Sequence, residues 1–166
     1  MKEYLYFGKI VNTHGIKGEI RIISNFEKKE EVLIPNFNLY IGKNYQKYKI
    51  ISFRHHKNFE MVILEGINDI SEALKLKTLP VYIKRVELNI KENDYLIEDL
   101  VSCKIIEDDK CLGIIKEVIY NNGNDLLLVE GSQNFYIPIK GHFINKVDLE
   151  KKIVYTNNAR GLILWE

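Results

Sequence analysis

The chain has 166 residues, which fits one medium domain or two small ones. With 46% hydrophobic and 28% charged residues it is excluded from the disordered class. The net charge is only +1, but residues 1–85 carry 15 basic against 9 acidic side chains (+6), and residues 86–166 carry 9 against 14 (−5). Such asymmetry suggests two units that meet differently charged partners. No apolar run reaches the roughly 20 residues that span a bilayer, so no membrane association is expected. The opening MKEYLYFGKI lacks a signal-peptide apolar region, which makes the cytoplasm the expected location. Cys103 and Cys111 have no CxxC spacing and no close histidine, so they read as reduced thiols rather than metal ligands.

In chain order, residues 4–12 and 18–24 alternate apolar and polar side chains around the turn His14-Gly15-Ile16-Lys17-Gly18-Glu19 and predict a β-hairpin. Gly15 and Gly18 permit positive φ, or the close approach of another backbone. Glu27–Ile34 reads as a short helix or a charged loop, ended by Pro35. Strands follow at Phe37–Ile41, Tyr45–His55 and Phe59–Leu64, the second half-buried at its far end. A short helix starts at Asp69–Leu74, with Asp69 or Ser71 as its cap. Pro80 restarts an extended segment to Val86. Short strands with little helix describe a small β-barrel over residues 1–86. Residues 87–94 are polar and aperiodic, and read as a linker at the point where the charge balance switches.

Residues 95–166 repeat the all-β pattern. Val101–Ile106 and Leu112–Tyr120 flank a polar hairpin loop, Glu107 to Lys110. Asn121-Asn122-Gly123-Asn124 is the strongest turn in the chain, because Asn and Gly tolerate left-handed conformations. Asp125–Glu130 and Phe135–Ile139 are further strands, and because Pro138 lacks an N–H the latter is expected to lie at an edge or to end there. Phe143–Leu149 and Lys151–Thr156 complete the set, and the apolar tail 161–165 is expected to dock on a barrel.

Sequence motifs for catalysis are missing: there is no P-loop, GxGxxG, HExxH or GxSxG, and no cofactor is implied. His55 and His56 would point to opposite faces of a strand and so cannot share a metal there. Binding features are richer. Lys9, Lys17, Arg21, Lys47, Lys49, Arg54 and Lys57 are interleaved with Tyr45, Tyr48 and Phe53 in the first half. Basic side chains contact phosphates and aromatics stack on unpaired bases. Because a small barrel needs large residues to fill it, the three aromatics are expected in the core; for the basic residues a solvated face and a phosphate-binding face stay equally open.

Gly8-Lys9-Ile10 followed by HGIKGE resembles the signature of the bacterial ribosome maturation factor RimM family. The similarity continues through Leu64-Glu65-Gly66-Ile67, Asp99-Leu100-Val101, Asn124-Asp125-Leu126-Leu127, Ile137-Pro138, Val147-Asp148-Leu149 and Gly161-Leu162. The resemblance implies an all-β chain of two small barrels, a RimM-type barrel and a PRC-type barrel, with one or two short helices. It implies a monomeric, non-enzymatic assembly factor that binds the free small ribosomal subunit, its rRNA and the head protein S-nineteen. The readings set against it are an RNA-processing or RNA-modifying enzyme and a PRC-barrel adaptor. His14, Gly15, Lys17, Gly18, Arg21 and Arg54 are the candidate rRNA contacts, and Tyr95 and Leu96 the candidate ribosomal-protein contacts. Two positions depart from the family pattern. Leu96 stands where a second tyrosine often follows the first, and Ser102 where glycine is common.

Overall fold

The computed structural model describes residues 2–91, 94–121 and 123–163. The chain divides into two compact units that part after Lys91, each with its own sheet.

In the first unit, strands β1 (Tyr4–His14), β2 (Glu19–Ile23), β3 (Asn38–Ile41), β4 (Gln46–His56), β5 (Phe59–Leu64) and β6 (Pro80–Lys84) close into a barrel in the order β1-β2-β5-β4-β3-β6. Alternation does the sorting. Leu5, Phe7, Ile20, Ile22, Leu39, Ile41, Val62, Leu64, Val81 and Ile83 alternate along their strands and are buried; some residues between them, such as Tyr40 and Met61, are covered as well. Helix α1 (Lys29–Val32) takes the first of the two forms open for Glu27–Ile34, and buries Val32. Helix α2 (Ile70–Leu74) starts where expected: Asp69 is its cap and accepts a hydrogen bond from the Glu72 backbone N–H at 2.9 Å.

One expectation fails on β4. Its far half is exposed, not half-buried, and Tyr45 and Phe53 lie at the surface rather than in the core. The cause is the shortness of β3. It pairs with β4 over Gln46–Lys49, and the Asn36-Phe37 backbone continues the pairing only to Ile50, so from Ile51 to His56 β4 has β5 alone as strand neighbour.

The second unit is a six-stranded sheet, ordered β10-β9-β8-β7-β12-β11, around a single core. Its strands are β7 (Lys104–Glu107), β8 (Lys110–Ile119), β9 (Leu126–Glu130), β10 (Phe135–Pro138), β11 (Ile144–Asp148) and β12 (Ile153–Thr156). Asp108 and Asp109 both take positive φ (48° and 62°), which makes the β7–β8 connection a tight two-residue turn. Pro138 sits on β10 at one edge of the sheet. Beyond β12, Leu162 and Ile163 pack against the core; the rest of the apolar tail, from Leu164, lies outside the described residues, as does Asn122 of the Asn-rich turn. Within the expected linker 87–94, Leu88 is buried and Glu87 accepts hydrogen bonds from Asn38 and Tyr40, so both are tied to the first unit; residues 92 and 93 lie outside the described residues.

The strand expected from Val101 starts instead at Lys104. A 3-10 helix over Ile97–Leu100 and a turn at Val101-Ser102 precede it. Ser102 holds φ at +77°, the left-handed region that favours glycine, and its N–H donates to Ile115 O at 2.8 Å. A serine is strained there by about 1–2 kcal/mol. Ser102 is exposed, so removing its side chain costs little packing. Ser102→Gly is expected to raise the stability of the second unit by about 1 kcal/mol, read as slower hydrogen exchange in β7 and β8. Unchanged exchange would show that the left-handed turn is not strained.

Candidate nucleic-acid interface

The turn of the first hairpin brings two guanidiniums and an imidazole around one carboxylate. His14 ends β1 and pairs in register with Glu19, the first residue of β2. Arg21 follows two residues later on the same face. Across the sheet, Arg21 is opposite Met61 of β5, and Met61 is opposite Arg54 of β4, so the two guanidiniums flank one buried methionine. Arg54 donates from Nε and Nη2 to both oxygens of Glu19, at 3.0 and 2.8 Å, a fork-to-fork pair. That bond, together with the positive charges of Arg54 and Arg21, holds the Glu19 carboxyl below its usual range, against the opposing effect of burial.

Arg21 is the less committed cation. One Nη donates to His14 Nδ1 at 3.0 Å, which makes Nδ1 the unprotonated ring nitrogen in that bond. The guanidinium carbon lies 5.4 Å from the centre of the Phe59 ring, and Nε is buried with no hydrogen-bond partner. Lys17 and Ile16 stand exposed at the tip of the turn, Ile16 with 83% of its surface accessible.

The two turn glycines differ. Gly15 has φ +72° and nothing within 4 Å of where a Cβ would be, so only its conformation matters. Gly18 has φ +82°, and a Cβ there would lie 2.7 Å from Asp69 O and 3.1 Å from Asp69 C. The residue that caps α2 thus rests directly on the turn, and α2 fixes where the turn stands.

The sequence-predicted residues therefore divide. His14, Gly15, Lys17, Gly18, Arg21 and Arg54 form one neighbourhood, but Arg54 is occupied by Glu19 and acts on the site by holding the strands together. Of the two candidates in the second unit, Tyr95 is half-buried, whereas Leu96 is 1% exposed and its N–H donates to Asp99 Oδ2 at 2.8 Å. The Leu96 side chain is thus packed inside and is not offered to a partner, which corrects its reading as a contact residue. His55 reaches Glu60 at 3.1 Å and His56 is exposed. Among the described residues no group of three or more His, Cys, Asp or Glu is arranged to hold a metal ion. No helix among them is long and apolar enough to cross a membrane.

Sequence reasoning missed Glu19 as the centre of this cluster and Phe59 as its floor. Their relation to Arg54 and Arg21 runs through strand pairing between residues up to 38 positions apart, and no local pattern signals it.

Comparison with known proteins places this geometry. Residues 5–88 match the model of the RimM N-terminal domain, and residues 97–162 match that of the RimM PRC barrel domain. The chain belongs to the RimM family. It is 34% identical to the ribosome maturation factor RimM of Bacillus mycoides, over 98% of this chain and all of that one. It is 37% identical to the RimM of Ligilactobacillus salivarius, over 96% of this chain and 98% of that one. A crystal structure of a 16S ribosomal RNA processing protein RimM from Pseudomonas aeruginosa covers 93% of this chain and 96% of its own, at 21% identity and a TM-score of 0.47. Both units of the RimM architecture are present, the closed barrel first and the PRC-type sheet second.

Proposed function

We propose that this chain is a cytoplasmic ribosome maturation factor that acts by binding, as a monomer, to the free small ribosomal subunit. In this reading the basic first unit meets small-subunit rRNA, and the acidic second unit meets the basic head protein S-nineteen. Holding the head region in a productive conformation promotes processing of the rRNA without the protein cutting it. The observation that carries the proposal is the match of both units, in order, to relatives named as maturation factors. The charge balance of +6 against −5 supports the division of partners, because complementary charge steers encounter and fixes orientation.

Lys17 and Arg21 are the residues proposed to touch rRNA phosphates. Lys17 is exposed at the tip of the turn, and Arg21 is half-buried on β2, with its guanidinium bonded to His14 rather than to a carboxylate. Arg54 and the two glycines shape the turn, and His14 orients Arg21. Tyr95 is the proposed contact on the protein side. Replacing Lys17 and Arg21 together by alanine is expected to weaken small-subunit association about 10-fold or more. It should also lower the slope of log affinity against log salt by about 2. The circular dichroism spectrum should stay that of the parent. Normal association by the folded variant would reduce the turn to scaffold. Cleavage of precursor rRNA by the purified protein alone would replace the binding reading with an enzymatic one.

A further inference from the structure

The opposite end of β1 carries a second, chemically different surface. Tyr4 and Tyr6 alternate with the buried Leu5 and Phe7, so they face out of the barrel. In register, Tyr6 stands opposite Tyr82 of β6, Tyr82 opposite Tyr40 of β3, and Tyr40 opposite Lys47 of β4. Tyr4 stands opposite Lys84. A row of tyrosines thus crosses three strands on a face where an antiparallel barrel ordinarily presents polar side chains to water.

A fifth tyrosine completes the cluster from outside the sheet. Tyr45, in the β3–β4 turn, holds φ at +51°, uncommon for a residue of its bulk. Its ring stacks on Tyr4 with centroids 4.0 Å apart and planes 6° from parallel, and meets Tyr82 edge-on at 4.9 Å. Tyr4 meets Tyr40 edge-on at 5.3 Å, and Tyr6 meets Tyr82 at 6.0 Å. The rings shield one another, yet 38% of Tyr45 stays accessible.

Cations border this cluster. Lys84 Nζ lies 5.4 Å from the Tyr4 ring centre and 5.1 Å from that of Tyr40, and is 3.5 Å from Glu3. Lys43, in the turn with Tyr45, and Lys47, opposite Tyr40, are exposed, and among the described residues neither forms an ion pair with a carboxylate. The other carboxylate on this face, Glu87, is engaged by the Tyr40 hydroxyl at 3.0 Å and by Asn38 at 3.1 Å. Burial, and then the hydrogen bond and charge of Glu87, push the Tyr40 hydroxyl up to about 12.

We propose that this tyrosine face is a stacking site for unpaired bases of single-stranded RNA, with Tyr45 as the leading ring and Lys43 and Lys47 taking the flanking phosphates. A stacked ring pair that ends in an exposed tyrosine extends onto a base without regard to its identity. Lysines with no carboxylate partner bring the complementary charge, and an apolar or acidic peptide segment would use only one of these two features. The site lies about 30 Å along β1 from the HGIKGE turn, since a strand rises about 3.3 Å per residue. One strand of RNA could therefore be held here while Lys17 and Arg21 meet phosphates elsewhere. The inference deepens the proposed rRNA contact of the first unit and rests on that reading for its biological partner, though not for the chemistry of the site.

The test titrates the full chain with a short unstructured RNA carrying 2-aminopurine, alongside a duplex of the same sequence. Stacking on Tyr45 is expected to quench the 2-aminopurine of the single strand and to favour it over the duplex. Tyr45→Leu should weaken single-strand binding about 5-fold or more, the lower end of one base–ring stack. Tyr45→Phe, which keeps the ring, should bind as the parent does. Equal affinity for the duplex, binding without quench, or full binding by Tyr45→Leu would overturn the site. So would loss of subunit association by Tyr45→Leu in a chain that binds no single strand, which would make the face a protein contact. If the parent binds and quenches single strands but ignores small subunits, the stacking site stands and the proposed function falls.

Discussion

Glu107→Ala is expected to destabilise the second unit by about 3 kcal/mol. Glu107 ends β7 and is buried, yet its carboxylate is fully used. Oε1 accepts from the Thr156 hydroxyl at 3.1 Å and from the Ala159 N–H at 2.7 Å, and Oε2 accepts from the Arg160 N–H at 3.2 Å. These bonds tie β7 to the end of β12 and to the 3-10 helix Ala159–Leu162, which follows the left-handed Asn158. Alanine would leave two backbone donors and a hydroxyl without their acceptor, and each buried unsatisfied group costs about 1–3 kcal/mol. Glu107→Gln keeps one acceptor oxygen and should lose about half as much. Hydrogen exchange across residues 97–163 checks both. Fast exchange confined to 156–163 would fit a tail held by Glu107 alone; parent-like exchange throughout would mean that water replaces the carboxylate without cost.

The second large effect is expected at Gly18. Gly18→Ala combines a left-handed conformation, about 1–2 kcal/mol for a residue with a Cβ, with overpacking against the Asp69 backbone, about 1–3 kcal/mol. A total of about 3 kcal/mol is expected, against about 1 kcal/mol for Gly15→Ala, where the space is open. The difference between the two variants isolates the contact with α2. Because Asp69 caps α2, the Gly18 variant should also loosen Ile70–Leu74. Equal destabilisation of the two variants, measured by thermal melting, would mean that Asp69 moves away freely and that α2 does not position the turn.

Much of this architecture is legible in the sequence, where the governing interactions are local. The hairpin around HGIKGE, the Asp69 cap, the Asp108-Asp109 turn and the edge position of Pro138 each follow from the conformation one or two residues prefer. Even Ser102 announces a backbone question, and its φ of +77° is the answer. What is not legible depends on pairing at long range. The exposure of β4 beyond Ile50 depends on where β3 stops. The parallel pairing of β12 with β7, at Val154 opposite Ile105, has no sequence signal in an otherwise antiparallel unit.

The same limit explains the candidate site. Arg54 looks like a phosphate ligand in a list of basic residues, and only the register across β2, β5 and β4 shows its fork closed on Glu19. Leu96 looks like a surface substitute for an aromatic, and only the packed unit shows it buried. The aromatics expected in the core are partly outside it. Size argues for filling the barrel, but its interior is taken by aliphatic residues and Phe7, so that Tyr45 and Phe53 stand exposed and Tyr48 is half-buried.

The central claim, binding to the free small subunit through charge presented by the first unit, is tested most directly by sedimenting the full chain with free small subunits and with assembled ribosomes, each at low and high salt. Co-sedimentation with free small subunits is expected, with loss of that association as salt rises and little protein on assembled ribosomes. Equal recovery with both particles, or none with small subunits at low salt, would contradict it.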